Sequence, residues 1–282
     1  MRIEKVDLYD YFKVSREGSN RGFLTCYLLD NDKEVNLSRK HPSIVVFPGG
    51  GYFFTSFREK EPVALAFLNK GFNVFVLDYY CFENKACYPS VIKEAMMAIK
   101  YVRDNLNEFN GYEEGVSGVG FSAGGHLLGL VSSIKDNELD LLGFSREDVK
   151  LNGAIFSYPV ISSRDDLTHR DSFYNLTLND PKLLYSLSIE NRVDASFPPS
   201  FIWHTLFDHA VNPSNSSLLK ECLDKFNVVN ELKYFRKGEH GGSVATLMCY
   251  REDQIKDVPS INSSWVDLAC AFLLKQGVKI ID

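Results

Sequence analysis

The sequence predicts an α/β fold, a mostly parallel sheet with helices on both of its faces. Three observations lead there. Short apolar runs alternate with helical patterns along most of the 282 residues. Several of those runs, such as residues 72–77, are apolar at nearly every position, as strands buried on both faces require. No internal repeat, low-complexity tract or linker divides the chain, so residues 1–282 read as one domain.

The elements follow in order. Residues 22–29 and 43–47 are apolar and β-branched enough to be strands, and the second runs straight into Pro48-Gly49-Gly50-Gly51-Tyr52. Residues 60–70 suit a helix, with Val63, Ala66 and Phe67 on one face and Gly71 as its stop. A strand over 72–77 precedes a helix over 89–107, where Pro89 fits the first turn and Val91, Ile92, Ala95, Met96, Ile99 and Val102 form a stripe. A strand ending at Gly120 leads into a helix over 122–134. Strands are expected over 152–158, 199–205 and 231–235, and helices over 213–225 and 263–275.

Residues 160–197 break this alternation. The segment is polar and only weakly helical, over 180–186, so a small cap-like insertion over the C-terminal edge of the sheet is expected, just before the strand that carries the acid discussed below.

Composition narrows the function. The net charge of −6, with no lysine or arginine cluster, argues against nucleic acid or an acidic membrane surface as partner. Residues 1–7 carry charges of both signs and lead into no apolar run resembling a signal peptide, and no stretch is long enough to span a bilayer. A cytoplasmic protein is expected. The six cysteines lack metal-ligand spacing and are expected as reduced thiols, without metal or other cofactor.

The most informative motif is Gly120-Phe121-Ser122-Ala123-Gly124-Gly125-His126. A serine between two glycines, at a strand-to-helix bend, reads as a nucleophile elbow. The bend holds the hydroxyl out of the fold, and the N–H groups opening the next helix lie near to receive negative charge.

Serine needs a base to take its proton and an acid to orient that base. His240, in the glycine-bearing loop Lys237-Gly238-Glu239-His240-Gly241-Gly242 after the last strand, is the expected base. Asp208 follows the strand over 199–205 and is the expected acid. His209, next to Asp208, and Glu239, next to His240, are set aside as base and acid because adjacent residues on one loop rarely point together. His204 within a strand and His126 within a helix read as structural, and His41 and His169 carry no supporting context.

The oxyanion formed on attack needs preorganised N–H donors. Ala123, directly after the serine, and Gly50 and Gly51 are the expected sources. No Gly-Lys-Ser/Thr follows the glycines, which weakens a phosphate-cradle reading. The bulky Tyr52, Phe53 and Phe54 beside that loop are expected to narrow a substrate pocket.

Taken together, Pro48 to Tyr52, Leu77-Asp78-Tyr79-Tyr80, Tyr88-Pro89, Gly120 to His126, Pro198 to Thr205 with Asp208 and Val211, and Gly238 to Gly241 resemble α/β-hydrolase esterases. The resemblance is to the carbohydrate acetyl esterases of the acetyl-xylan-esterase and BD-FAE type and, more distantly, to hormone-sensitive-lipase-like carboxylesterases. It implies an eight-stranded α/β-hydrolase fold and hydrolysis of short acyl esters, often acetyl groups on sugars. The chain departs from the lipase-like branch in having Pro48 before its glycines and no large N-terminal helical cap, and from both branches in having Tyr80 where arginine is common.

A serine esterase acting on small-molecule esters is therefore expected. Two alternatives stay open: an amide hydrolase with the same triad, and a non-catalytic ligand-binding protein on the same fold. A homo-oligomer is a further expectation, the strand over 22–29 offering an edge for pairing between chains.

Overall fold

The structure is a computed structural model that describes residues 1–16, 21–253 and 259–279. Eight strands form one sheet: β1 (Arg2–Asp7), β2 (Phe23–Leu28), β3 (His41–Phe47), β4 (Asn73–Asp78), β5 (Gly111–Phe121), β6 (Gly153–Ser157), β7 (Ser200–Thr205) and β8 (Asn230–Phe235). Their order is β1-β2-β4-β3-β5-β6-β7-β8, and β2 alone runs against the rest.

Consecutive apolar residues in the central strands feed two cores. From β3, Val45 and Phe47 join a core with α3 (Ser90–Asp104), α4 (Ala123–Ser132) and α8 (Ser214–Lys225), while Ile44 and Val46 face α2 (Glu61–Leu68) and α9 (Trp265–Lys275) on the other side. This two-sided burial is why β3 is apolar almost throughout, since every side chain in it is buried. The indole of Trp265 stacks on Trp203 of β7 at 5.4 Å, closing the second core under the loops that carry the chemistry.

The expected strands and helices are present with ends shifted by a few residues. Four elements were not foreseen. β1 is charged and largely exposed, held by its antiparallel pairing to β2 rather than by an apolar pattern. α1 (Leu8–Phe12) is a single short turn capped by the Asp7 carboxylate. α6 (Arg170–Thr177) adds a helix to residues 160–197 beside the expected one, α7 (Pro181–Leu187). The fourth is the short helix α5 (Asp136–Leu139), between α4 and β6.

One expectation is corrected. Residues 22–29 do not form an open edge, because β1 pairs along the full length of β2; the outer strands are β1 and β8. All six cysteines are free thiols. Among the described residues no helix is long and apolar enough to cross a membrane.

Strand order reverses at β3, which lies between β4 and β5, so the C-terminal ends of β3 and β5 flank a crevice where connections leave in opposite directions. The glycine loop and Ser122 sit there.

A buried carboxylate beneath this region makes stability depend on pH. Glu94 of α3 accepts hydrogen bonds from the Tyr9 hydroxyl (2.9 Å) and the Tyr80 N–H (2.5 Å), and burial pushes its carboxyl up to about 7 from 4.5. A carboxyl raised in the folded state stabilises most below its unfolded value, and that contribution is lost as pH rises through about 7. Stability measured by urea titration is expected to fall by about 3 kcal/mol between pH 5 and 8 from this group. Glu94→Gln should flatten that decline; an unchanged slope would refute the assignment.

Candidate active site

The backbone at Ser122 is strained. Its φ of 53° lies in the left-handed region, at the point where β5 ends and α4 begins. Gly124 makes the bend feasible: a Cβ there would lie 2.0 Å from the Phe47 carbonyl oxygen and 2.4 Å from that of Pro48. The helix thus packs directly against the end of β3, which brings the glycine loop alongside the serine.

Three loops meet at this point. Ser122 Oγ lies 2.8 Å from His240 Nε2, and His240 Nδ1 lies 2.6 Å from Asp208 Oδ2. Since a carboxylate only accepts, Nδ1 carries the proton and Nε2 is free to accept from the serine hydroxyl. The three expected residues are brought together across the ends of β5, β7 and β8. His209 and Glu239, the rivals set aside, are exposed.

Asp208 is held from four directions. Oδ1 accepts the N–H groups of Ala210 (2.9 Å) and Val211 (2.8 Å), and Oδ2 accepts from His240 and from His204 Nε2 at 3.0 Å. Burial pushes the Asp208 carboxyl up, but the hydrogen bonds from His204 and His240 outweigh it and hold the group well below the usual carboxylate range. His204 is itself buried, which lowers its proton affinity, and its Nδ1 meets the Ser216 hydroxyl at 2.8 Å. His204 is therefore structural, as expected of a strand histidine, but its place beside the acid was not legible from sequence.

On the other side of Ser122, the glycine loop turns tightly. Gly50 has φ 123°, and a Cβ there would fall 2.1 Å from the Phe54 carbonyl oxygen. Its carbonyl accepts the N–H groups of Phe53 and Phe54. Two side chains anchor the loop: the buried Glu59 carboxylate takes the Gly49 N–H at 2.6 Å, and Asn175 of α6 donates to the Gly51 carbonyl at 2.8 Å. Ala123 is the first residue of α4, so its N–H has no partner within the helix.

Glu59 also accepts from the Tyr158 hydroxyl at 2.7 Å, and that hydroxyl takes the Ser243 N–H at 2.9 Å. The Tyr158 ring packs edge-on against His240 with centroids 4.9 Å apart. Burial raises the Glu59 carboxyl, an effect opposed by the bonds from Tyr158 and Gly49. Glu59 and Tyr158 thus tie the glycine loop to the loop of His240. Neither carries a motif, because a glutamate in a polar turn and a tyrosine after a strand are ordinary until folding brings them together.

A cavity of about 800 Å³ opens over Ser122 and His240, lined by Gly50, Gly51, Phe53 and Phe54 and, from residues 160–197, by His169, Asp171 and Asn175. The insertion therefore contributes a wall. Phe53 and Phe54 line it as expected. Tyr52 does not: it is buried, and its hydroxyl bonds His126 Nδ1 at 2.8 Å while His126 Nε2 meets the Leu187 carbonyl at 2.8 Å. The φ of 58° at Tyr52 turns its side chain away from its aromatic neighbours and into the core. His126 is structural as expected, its proton affinity lowered to about 3 by burial. Tyr80 is buried too, and its N–H belongs to Glu94. His169, which had no sequence context, is in the cavity wall.

The chain is 32% identical over 215 residues to endo-1,4-β-xylanase B of Butyrivibrio fibrisolvens, covering 73% of this chain and 33% of that protein. It is 26% identical over 273 residues to an acetylxylan esterase of Xylanibacter ruminicola, covering 92% and 53%. It thus spans about a third to a half of the length of these curated relatives. A solved acetyl ester-xyloside bifunctional hydrolase from Caldicellulosiruptor lactoaceticus superposes with a TM-score of 0.79 at 29% identity, over 98% of this chain and 97% of that one. These likenesses agree with the α/β-hydrolase sheet, and the BD-FAE family model matches residues 29–223, so the chain belongs to the BD-FAE family.

Proposed function

We propose that the protein is a serine esterase that hydrolyses short acyl esters, acetyl esters of sugars foremost, through an acyl-enzyme intermediate. The observation that carries this reading is the continuous relay from Ser122 Oγ through His240 to Asp208, at 2.8 and 2.6 Å, opening into the cavity. His240 takes the serine proton as Oγ attacks the ester carbonyl, and the oxyanion is received by N–H groups of Ala123 and of Gly50 or Gly51. His240 then protonates the departing alcohol oxygen. Water attacks the acyl-serine by the same route, with His240 as its base, and releases the acid.

The relatives support the substrate class: one is named an acetylxylan esterase, and the solved structure is titled an acetyl ester-xyloside hydrolase. Phe53 and Phe54 stand in the cavity wall with exposed rings and favour a short acyl group by bulk. Residues 160–197 act as a small cap on what we read as a single domain.

A substrate panel tests the reading. Among p-nitrophenyl esters, kcat/KM is expected to peak at acetate and fall at least tenfold by octanoate, and acetylated xylosides should be cleaved while the matching N-acetyl amides are not. Preference for the amides, or for the long chains, would overturn it.

A further inference from the structure

Among the polar groups that line the cavity, which include Arg58 and Asp171, His169 is the imidazole that the proposed esterase reaction does not use. His169 caps α6, and its Nδ1 accepts the Ser172 N–H at 3.3 Å and lies 2.8 Å from the Ser172 hydroxyl. A backbone N–H can only donate, so Nδ1 is the unprotonated nitrogen and the ring proton of the neutral imidazole is on Nε2. Ser172 is buried and fixes the ring from below. The ring lines the cavity with Ser122 and His240, and its Cε1 lies 3.9 Å from where a Cβ on Gly51 would be. Nε2 has no partner among the described residues. Burial and the neighbouring His240 lower the proton affinity of His169, which keeps it a neutral donor.

An N–H in a half-buried cavity is costly to leave unpaired once water is displaced, so a ligand that fills the cavity must satisfy it. An acetyl ester offers few acceptors. Its carbonyl oxygen goes to the N–H groups of the glycine loop and Ala123, and its ester oxygen receives the proton from His240. What remains is the alcohol portion.

We propose that His169 is a specificity-determining residue whose Nε2–H donates to a free hydroxyl on the alcohol portion of the substrate, so that the site selects esters of polyhydroxylated alcohols over esters of alcohols without further hydroxyls. The proposal rests on the esterase reading and adds the residue that recognises the leaving group. Ser172 is its positioning partner, because it holds the tautomer that presents the donor. Recognition of this kind discriminates strongly, since the analogue lacking the hydroxyl displaces water from the donor and leaves it unpaired.

The experiment compares kcat/KM for a mono-O-acetylated methyl xyloside with that for cyclohexyl acetate, a ring of the same size without hydroxyls, in the wild type, His169→Ala, His169→Gln and Ser172→Ala. The xyloside-to-cyclohexyl ratio is expected to fall about tenfold or more in His169→Ala, the scale of one lost hydrogen bond to a hydroxyl. It should fall by less in Ser172→Ala, and be partly restored in His169→Gln, which keeps a donor. Equal losses on both esters would overturn the proposal and make His169 an oxyanion donor or a structural residue; an unchanged ratio at unchanged rates would overturn it as well. A wild type inactive on both esters would instead bring down the esterase reading, and this proposal with it.

Discussion

Ser122→Ala is expected to reduce hydrolysis of p-nitrophenyl acetate to the background rate, a loss of at least about 10⁴-fold in kcat. The effect is large because nothing nearby can replace the hydroxyl. Among the described residues the only side-chain bond of Ser122 is the one to His240, and the neighbouring serines are committed elsewhere: Ser157 to the Trp203 indole, Ser243 to the Arg58 carbonyl. The fold should survive. Alanine has the same Cβ as serine, so the substitution leaves the strain at φ 53° as it was, and the bonds of the elbow run through the backbone, from the Ser122 N–H to the Ser157 carbonyl and from the His126 and Val160 N–H groups to the Ser122 carbonyl. A fluorophosphonate probe should label the wild type and not the variant. Retained turnover in a folded variant, or an unlabelled wild type, would favour the ligand-binding alternative.

How much of this could be read from the chain follows from which interactions are local. The elbow is local in that strand, serine and flanking glycines are contiguous, whereas the close approach of Gly124 to Phe47 comes from a different strand. Asp208 and His240 were legible because each follows a segment with a strand pattern, β7 buried throughout and β8 alternating, so their places at the sheet's C-terminal edge come from strand periodicity alone. Tyr52 misled because bulk beside a glycine loop says nothing of direction, and direction is set by the backbone turn and by a hydrogen bond to His126, 74 positions away in the chain. His169, Glu59, Tyr158 and Asn175 share that character. Each is an ordinary residue in its own stretch that acquires a role only when distant segments meet: His169 and Asn175 when the cap folds over the glycine loop, Glu59 and Tyr158 when the loops of Gly49 and Ser243 come together. β1 was hidden for a different reason: its pairing uses backbone groups, which any sequence supplies.

Asp208→Asn should be nearly as damaging as loss of the nucleophile, with kcat falling about 10³- to 10⁴-fold and KM changing little. The reason is the number of donors that converge on the carboxylate. Oδ1 can remain an acceptor for Ala210 and Val211, which leaves the amide nitrogen facing His240 Nδ1 and His204 Nε2. Two imidazole N–H groups then confront an NH₂ group. His204 can adapt, because its other nitrogen faces the Ser216 hydroxyl, which donates or accepts, although the Val211 carbonyl at 3.2 Å then loses its donor. His240 cannot adapt without cost to catalysis: if Nδ1 becomes the acceptor, the proton moves to Nε2, and the ring donates to Ser122 where it should accept. The lost charge also withdraws support from the imidazolium formed on attack. Glu59 does not offer a substitute acid, since both of its oxygens are held, by Gly49 and Tyr158. Steady-state kinetics with p-nitrophenyl acetate, alongside the melting temperature, separate the outcomes: a loss of less than tenfold in a variant that melts near the wild type would show that His240 takes its orientation from elsewhere.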